Sequence, residues 1–109
     1  MNMQTQETEE SKPILFGLGK LYVTAGIQEL IENYELDITP FIQRHVTGDW
    51  GDVCEEDAAE NRLSVKQGYR LLSAYTFSLN ENSDSSPIKF WVLTEADRSV
   101  TTVLLPEEY

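Results

Sequence analysis

At 109 residues the chain is long enough for one domain with one modest core and too short for two. Its 40% hydrophobic and 25% charged composition is that of a folded protein, but 19 Asp and Glu against 8 Lys and Arg leave a formal charge of −11. Such a surface repels nucleic-acid phosphates and anionic membranes, so passive coating of DNA or RNA is disfavoured, although a local basic pocket could hold a phosphate, and a basic protein partner is attracted.

Residues 1–13 are polar and acidic with no apolar periodicity, and a disordered acidic tail is expected there. A single α+β domain is expected over 14–109. In ILFGLGKLYV, residues 14–23, Ile14, Phe16, Leu18 and Tyr22 alternate with smaller residues and suggest a strand. Gly17 and Gly19 imply a bulge or a close backbone neighbour. Thr24 suits an N-cap, and Ile27, Leu30, Ile31 and Tyr34 then form one helical stripe. Thr39-Pro40 reads as the cap and first residue of a second helix, whose apolar edge is Phe41, Ile42, His45 and Val46 and whose end is Gly48. Asp49-Trp50-Gly51 is a tight connector. Asp52 reads as the cap of a third helix that runs to Gln67, with Ala58, Ala59, Leu63 and Val65 facing inward and Gly68 at its end.

The rest reads as strands over 70–79, 88–94 and from Val100 to Pro106, joined by the loops 80–87 and 95–99. Short loops favour a three-stranded antiparallel meander, with the helices on one face. Trp50 and Trp91 are expected as core anchors.

The polar residues gather in two stretches: Arg44-His45-Val46-Thr47-Gly48-Asp49-Trp50-Gly51, and Thr94-Glu95-Ala96-Asp97-Arg98-Ser99. Arg44, His45, Asp49, Trp50, Thr94, Glu95, Asp97 and Arg98 are the candidate binding residues. His45 is the only histidine, so a mechanism that needs two is excluded. With Glu95 or Asp97 as a second proton carrier and Arg70 or Arg98 on a phosphate, His45 supplies the residue types of a small RNase; a hydrogen-bonded structural histidine is the commoner reading. Asp97-Arg98 reads as a local ion pair fixing a turn. Cys54, beside Glu55-Glu56-Asp57, is a poor nucleophile, and those carboxylates suit the helix dipole better than a metal. No glycine-rich phosphate loop and no metal-ligand spacing is present, so neither cofactor nor metal is expected.

The segments FGLGKLYVT, RHVTGDWG, RLLSAY and FWVLTEADRSVTTVLLPEEY resemble a family of short bacterial proteins found on plasmids, phages and integrated elements, described as plasmid-related. The resemblance covers about residues 14–109. The chain departs from it at Thr24-Ala25-Gly26, where the family has Thr-Pro-Gly, and in a longer loop at 80–87. The resemblance implies a cytoplasmic accessory protein of a mobile element, and it carries no assigned catalytic residue. A restriction-methylation label attached to some members finds no glycine-rich nucleotide loop here. Two alternatives stand beside a binding role: the RNase-like enzyme centred on His45, and an acidic DNA mimic. The mimic would use Glu29, Glu32, Glu35, Asp37, Asp52, Glu55, Glu56 and Glu60 at phosphate-like spacing.

Overall fold

The computed structural model describes residues 12–78 and 87–109. The tail expected over 1–13 therefore lies outside the described residues except for Lys12 and Pro13, as does nearly all of loop 80–87. The architecture is α+β. Strand β1 (Lys20–Val23) precedes helices α1 (Ala25–Tyr34), α2 (Thr39–Val46) and α3 (Glu55–Gln67), and strands β2 (Leu71–Phe77), β3 (Ile88–Thr94) and β4 (Val100–Leu104) follow. A 3₁₀ turn, Pro106–Glu108, comes last.

The sheet corrects the expected three-stranded meander. β2, β3 and β4 do pair antiparallel, but β1 adds in parallel to β4, so the sheet is four-stranded and mixed, in the order β1-β4-β3-β2. The first strand is also shorter than the sequence suggests. Gly19 has φ +67°, and a Cβ there would lie 2.1 Å from the Ser99 carbonyl oxygen, so the chain turns against the β3–β4 connection at that point. Upstream of Gly19, Phe16 packs with Val46, Trp50 and Leu71, while Ile14 and Tyr22 of the expected apolar face are exposed.

One face of the sheet carries the main core. Tyr75, Phe90, Val92 and Val103 meet Ile27 and Leu30 of α1, with Phe41 and Ile42 of α2 packed around them. Thr24 caps α1 through a bond from the Ile27 amide, and Tyr34, at the far end of the stripe, is left exposed. Thr39 is not the cap of α2. The Asp37 carboxylate accepts its amide hydrogen instead, and Thr39 is already helical.

The third helix differs most from expectation. Cys54, not Asp52, is its N-cap, and the Asp52 carboxylate accepts a bond from the Thr76 hydroxyl. Its buried residues are Asn61 and Ser64; of the four residues expected inward, Ala58 and Val65 pack partly buried against Phe16, Val46, Trp50 and Leu71, while Ala59 and Leu63 are exposed. The reason is its place beside the outer edge of β2 rather than over a sheet face. The Asn61 amide donates to the Leu72 carbonyl at 2.8 Å and accepts from the Leu72 N–H at 3.2 Å, as a neighbouring strand would. Two residues on, the Ala74 N–H bonds the Trp50 carbonyl and the Ala74 carbonyl accepts from the Asp52 N–H, closing a parallel bridge at Gly51. Gly51 has φ +76°, and a Cβ would meet the Ala74 oxygen at 2.0 Å. The edge of β2 is thus sealed by a side chain and a loop.

Among the described residues no α-helix lies across the other face, where Leu72, Ala74, Trp91 and Leu93 point; Ala74 and Leu93 are nonetheless buried there. Tyr109 reaches onto it, edge to face with Trp91 at 5.7 Å. Trp50 is buried as expected; Trp91 is only half-buried, because it lies on this face.

Candidate functional site

The two polar stretches do meet, at the end of the core face where α2 crosses the sheet. His45 is 0% exposed. Its Nδ1 lies 2.6 Å from the Ser73 hydroxyl and its Nε2 2.9 Å from that of Thr94. Thr94 lies 2.8 Å from Thr101, and Thr101 donates to the Leu18 carbonyl at 2.8 Å. Each hydroxyl has a single proton, which assigns the network. Thr101 spends its proton on Leu18, so Thr94 donates to Thr101. Thr94 must then accept from His45 Nε2–H, leaving Nδ1 to accept from Ser73. The ring is neutral, and burial pushes its pKa down to about 3. Phe16 and Trp50 close over it, each edge to face at 5.1 Å and 6.0 Å.

Arg44 and Asp49 stand on the surface above this network, paired at 2.8 Å and 3.3 Å. That bond is the main cause holding the Asp49 carboxyl below its usual range and the Arg44 guanidinium above its own. Arg44 also lies 4.7 Å over the Tyr75 ring, and the Tyr75 hydroxyl donates to the Asp49 carbonyl. Buried, that phenol is pushed up to about 12. The RHVTGDWG segment is therefore a self-locking turn, its charges and rings bonded to one another.

The second stretch is equally occupied. Arg98, at φ +61°, donates to the carbonyls of Tyr69, Glu95, Ala96 and Ser64. It ties the C-terminal end of α3 to the β3–β4 turn. The expected Asp97–Arg98 ion pair does not form. The Asp97 carboxylate accepts from the Ser99 hydroxyl and amide, which lowers its pKa. Glu95 is half-buried and accepts the Arg98 amide through its backbone carbonyl. Arg70 stands apart from His45, donating to the Tyr109 hydroxyl at 2.8 Å. Among the described residues His45, Arg70 and Glu95 thus do not line one cleft, and His45 lines none of the four main clefts.

The carboxylates named for a DNA mimic are all exposed, but they divide. Glu29 and Glu32 are on α1, which packs on β1 and β4; Glu55, Glu56 and Glu60 are on α3, beside β2. These are opposite ends of the sheet. Among the described residues no His, Cys, Asp and Glu gather as a metal-binding group, and Cys54 is exposed. No described helix is long and apolar enough to cross a membrane.

Two features escape a reading of the sequence. Glu108 folds back onto the N-terminus of α1, accepting the Thr24 hydroxyl, the Gly26 amide at 2.9 Å and the Leu105 amide at 2.8 Å. Burial pushes its carboxyl up, but these bonds outweigh that and hold it below the usual range. The other is a cleft of about 330 Å³ on the second sheet face, between α3 and Tyr109, with Arg70 also in its lining. Its floor is Leu72, Trp91 and Leu93, and Asp57 and Glu60 form one wall. The signal available was a lone tryptophan in a strand whose alternate residues serve the other face. A scan against protein-family models finds no match to this chain, and neither do searches of curated proteins and of solved structures.

Proposed function

We propose that this chain is an accessory protein of a bacterial mobile element that acts by binding another protein, with no catalytic step of its own. The mobile-element part rests on the resemblance of RHVTGDWG and TEADRSVTTVLLPEEY to plasmid-related proteins. The observation that carries the binding reading is the state of His45: both ring nitrogens bonded, no exposure, and a pKa near 3. General acid–base chemistry needs a group that reaches substrate and exchanges a proton near the working pH. The only histidine does neither.

The test pairs two experiments in the bacterial host. Affinity capture of the full chain followed by mass spectrometry is expected to return one dominant protein partner. In parallel, wild type and His45→Gln are expressed at equal levels and total RNA is inspected. Intact RNA in both is expected. RNA cleavage by the wild type that the variant loses, at matched thermal stability, replaces this reading with the RNase-like one.

A further inference from the structure

The cleft on the second sheet face is lined by charges of both signs: Asp57 and Glu60 on α3, and Arg70, whose guanidinium donates to the Tyr109 hydroxyl. Trp91 is half-buried and Leu72 also remains partly open, so the floor presents apolar and aromatic surface. Tyr109 stands against Trp91 and is itself fixed by Arg70, through its hydroxyl and by the guanidinium 5.9 Å over its ring. Asp57 and Glu60, one helical turn apart on α3, are both exposed. Neither makes an ion pair with a described residue: the two ion pairs there are Arg44–Asp49 and Arg62–Glu55. Asn61, between them and the sheet, is spent on Leu72.

An apolar floor that includes Trp91, with carboxylates beside it, suits a long cationic side chain. Its methylenes lie on Trp91 and Leu72 while its charge meets the carboxylates, and a guanidinium adds attraction to the ring face. The net charge of −11 draws basic segments toward the molecule and repels phosphates.

We propose that this cleft is where a protein partner docks, through an arginine-bearing basic segment that lies across Trp91 with its guanidinium against Asp57 and Glu60. The proposal rests on the binding reading above and names the surface and the partner chemistry.

The probe is a hexa-arginine peptide, titrated into the full chain carrying Trp50→Phe so that emission reports Trp91 alone. Three proteins are compared in this background: the parent, Asp57→Asn/Glu60→Gln in the cleft, and Glu29→Gln/Glu32→Gln on α1. Both double variants remove the same charge. The expected result is a saturable change in Trp91 emission. Affinity falls at least tenfold in the cleft variant and no more than about twofold in the α1 variant. Equal losses in the two variants, or binding without a change in Trp91 emission, mean diffuse attraction to an acidic surface and overturn the proposal. Capture from the host separates this from the broader reading. A partner retained equally by parent and cleft variant overturns the cleft and leaves the binding reading standing. Specific hexa-arginine binding with no host partner leaves the cleft's preference for arginine standing but removes the binding reading and, with it, the docking role proposed here.

Discussion

A second proton on His45 would have to displace the one that Ser73 already donates. Nδ1 already receives the Ser73 proton, so protonation forces that hydroxyl to turn away inside the core. Unfolded, the imidazole protonates as pH falls through about 6.5. Folded, it resists until about pH 3. Between those values the unfolded chain holds the extra proton. His45's contribution to stability is therefore full above the unfolded pKa and is lost as pH falls toward the folded one, by up to about 1.4 kcal/mol per pH unit. Asp49, Asp97 and Glu108, whose pKa values are also lowered, add losses of the same sign at lower pH. Urea unfolding of wild type and His45→Gln between about pH 7 and pH 4 isolates the histidine: the wild-type stability falls more steeply, by one proton's worth. His45→Ala is expected to cost about 3 kcal/mol at pH 7, from the cavity and from two hydroxyls left without their partner.

At the level of elements, the edge of β2 is the place where polar residues do structural work. Asn61 supplies both halves of a strand neighbour to Leu72, and Asn61→Leu keeps the volume while removing both bonds. A loss of about 2 kcal/mol is expected, read by thermal unfolding, with concentration-dependent association on size exclusion as the newly open edge finds other strands. The same residue explains why α3 was misread. Its sequence has a helix's caps and length, so its existence was legible. Its inner face is Asn61 and Ser64 flanked by Ala58 and Val65, so Ala58 and Val65 were placed rightly while Ala59 and Leu63 were assigned to the wrong side. α1 was legible because Ile27 and Leu30 are apolar and meet a sheet face. The parallel pairing of β1 with β4 was not, since nothing local to either strand records its partner. Of the site, the two polar stretches that hold His45 and Thr94 were legible as clusters; that they meet at Ser73 and saturate one another needed coordinates. Trp91 was misplaced in the core because a period of two does not say which face is covered. Being half-buried, Trp91→Ala is expected to cost about 1–2 kcal/mol rather than the larger sum for a fully buried indole. In acrylamide quenching, one indole, Trp91, responds and Trp50 does not.

For the molecule as a whole, charge works against compactness. The net charge is −11, and the two ion pairs among the described residues are largely exposed, so salt has little favourable pairing to screen. What it screens is self-repulsion. Raising NaCl from about 20 mM to about 300 mM, where the Debye length shrinks severalfold, is expected to raise the melting temperature by roughly 5 °C, near 1 kcal/mol for a domain this size. A fall would mean that the attractive pairs dominate.

The pairing of β1 with β4 also sets an order of events during biosynthesis. Lys20 aligns with Val100, and Thr24 with Gly26 waits for Glu108, whose partner lies 84 residues earlier in the chain. While the ribosome is still extending the middle of the protein, β1 has no neighbour and α1 lacks the carboxylate at its start. At elongation rates of about 5–20 residues per second, that interval lasts several seconds. Closure of so long a loop comes late and carries an entropic cost. The nascent chain thus leaves the backbone N–H and C=O groups of Lys20–Val23 without a strand partner until the distant complement emerges, and a truncated translation product is left with that strand permanently unmatched.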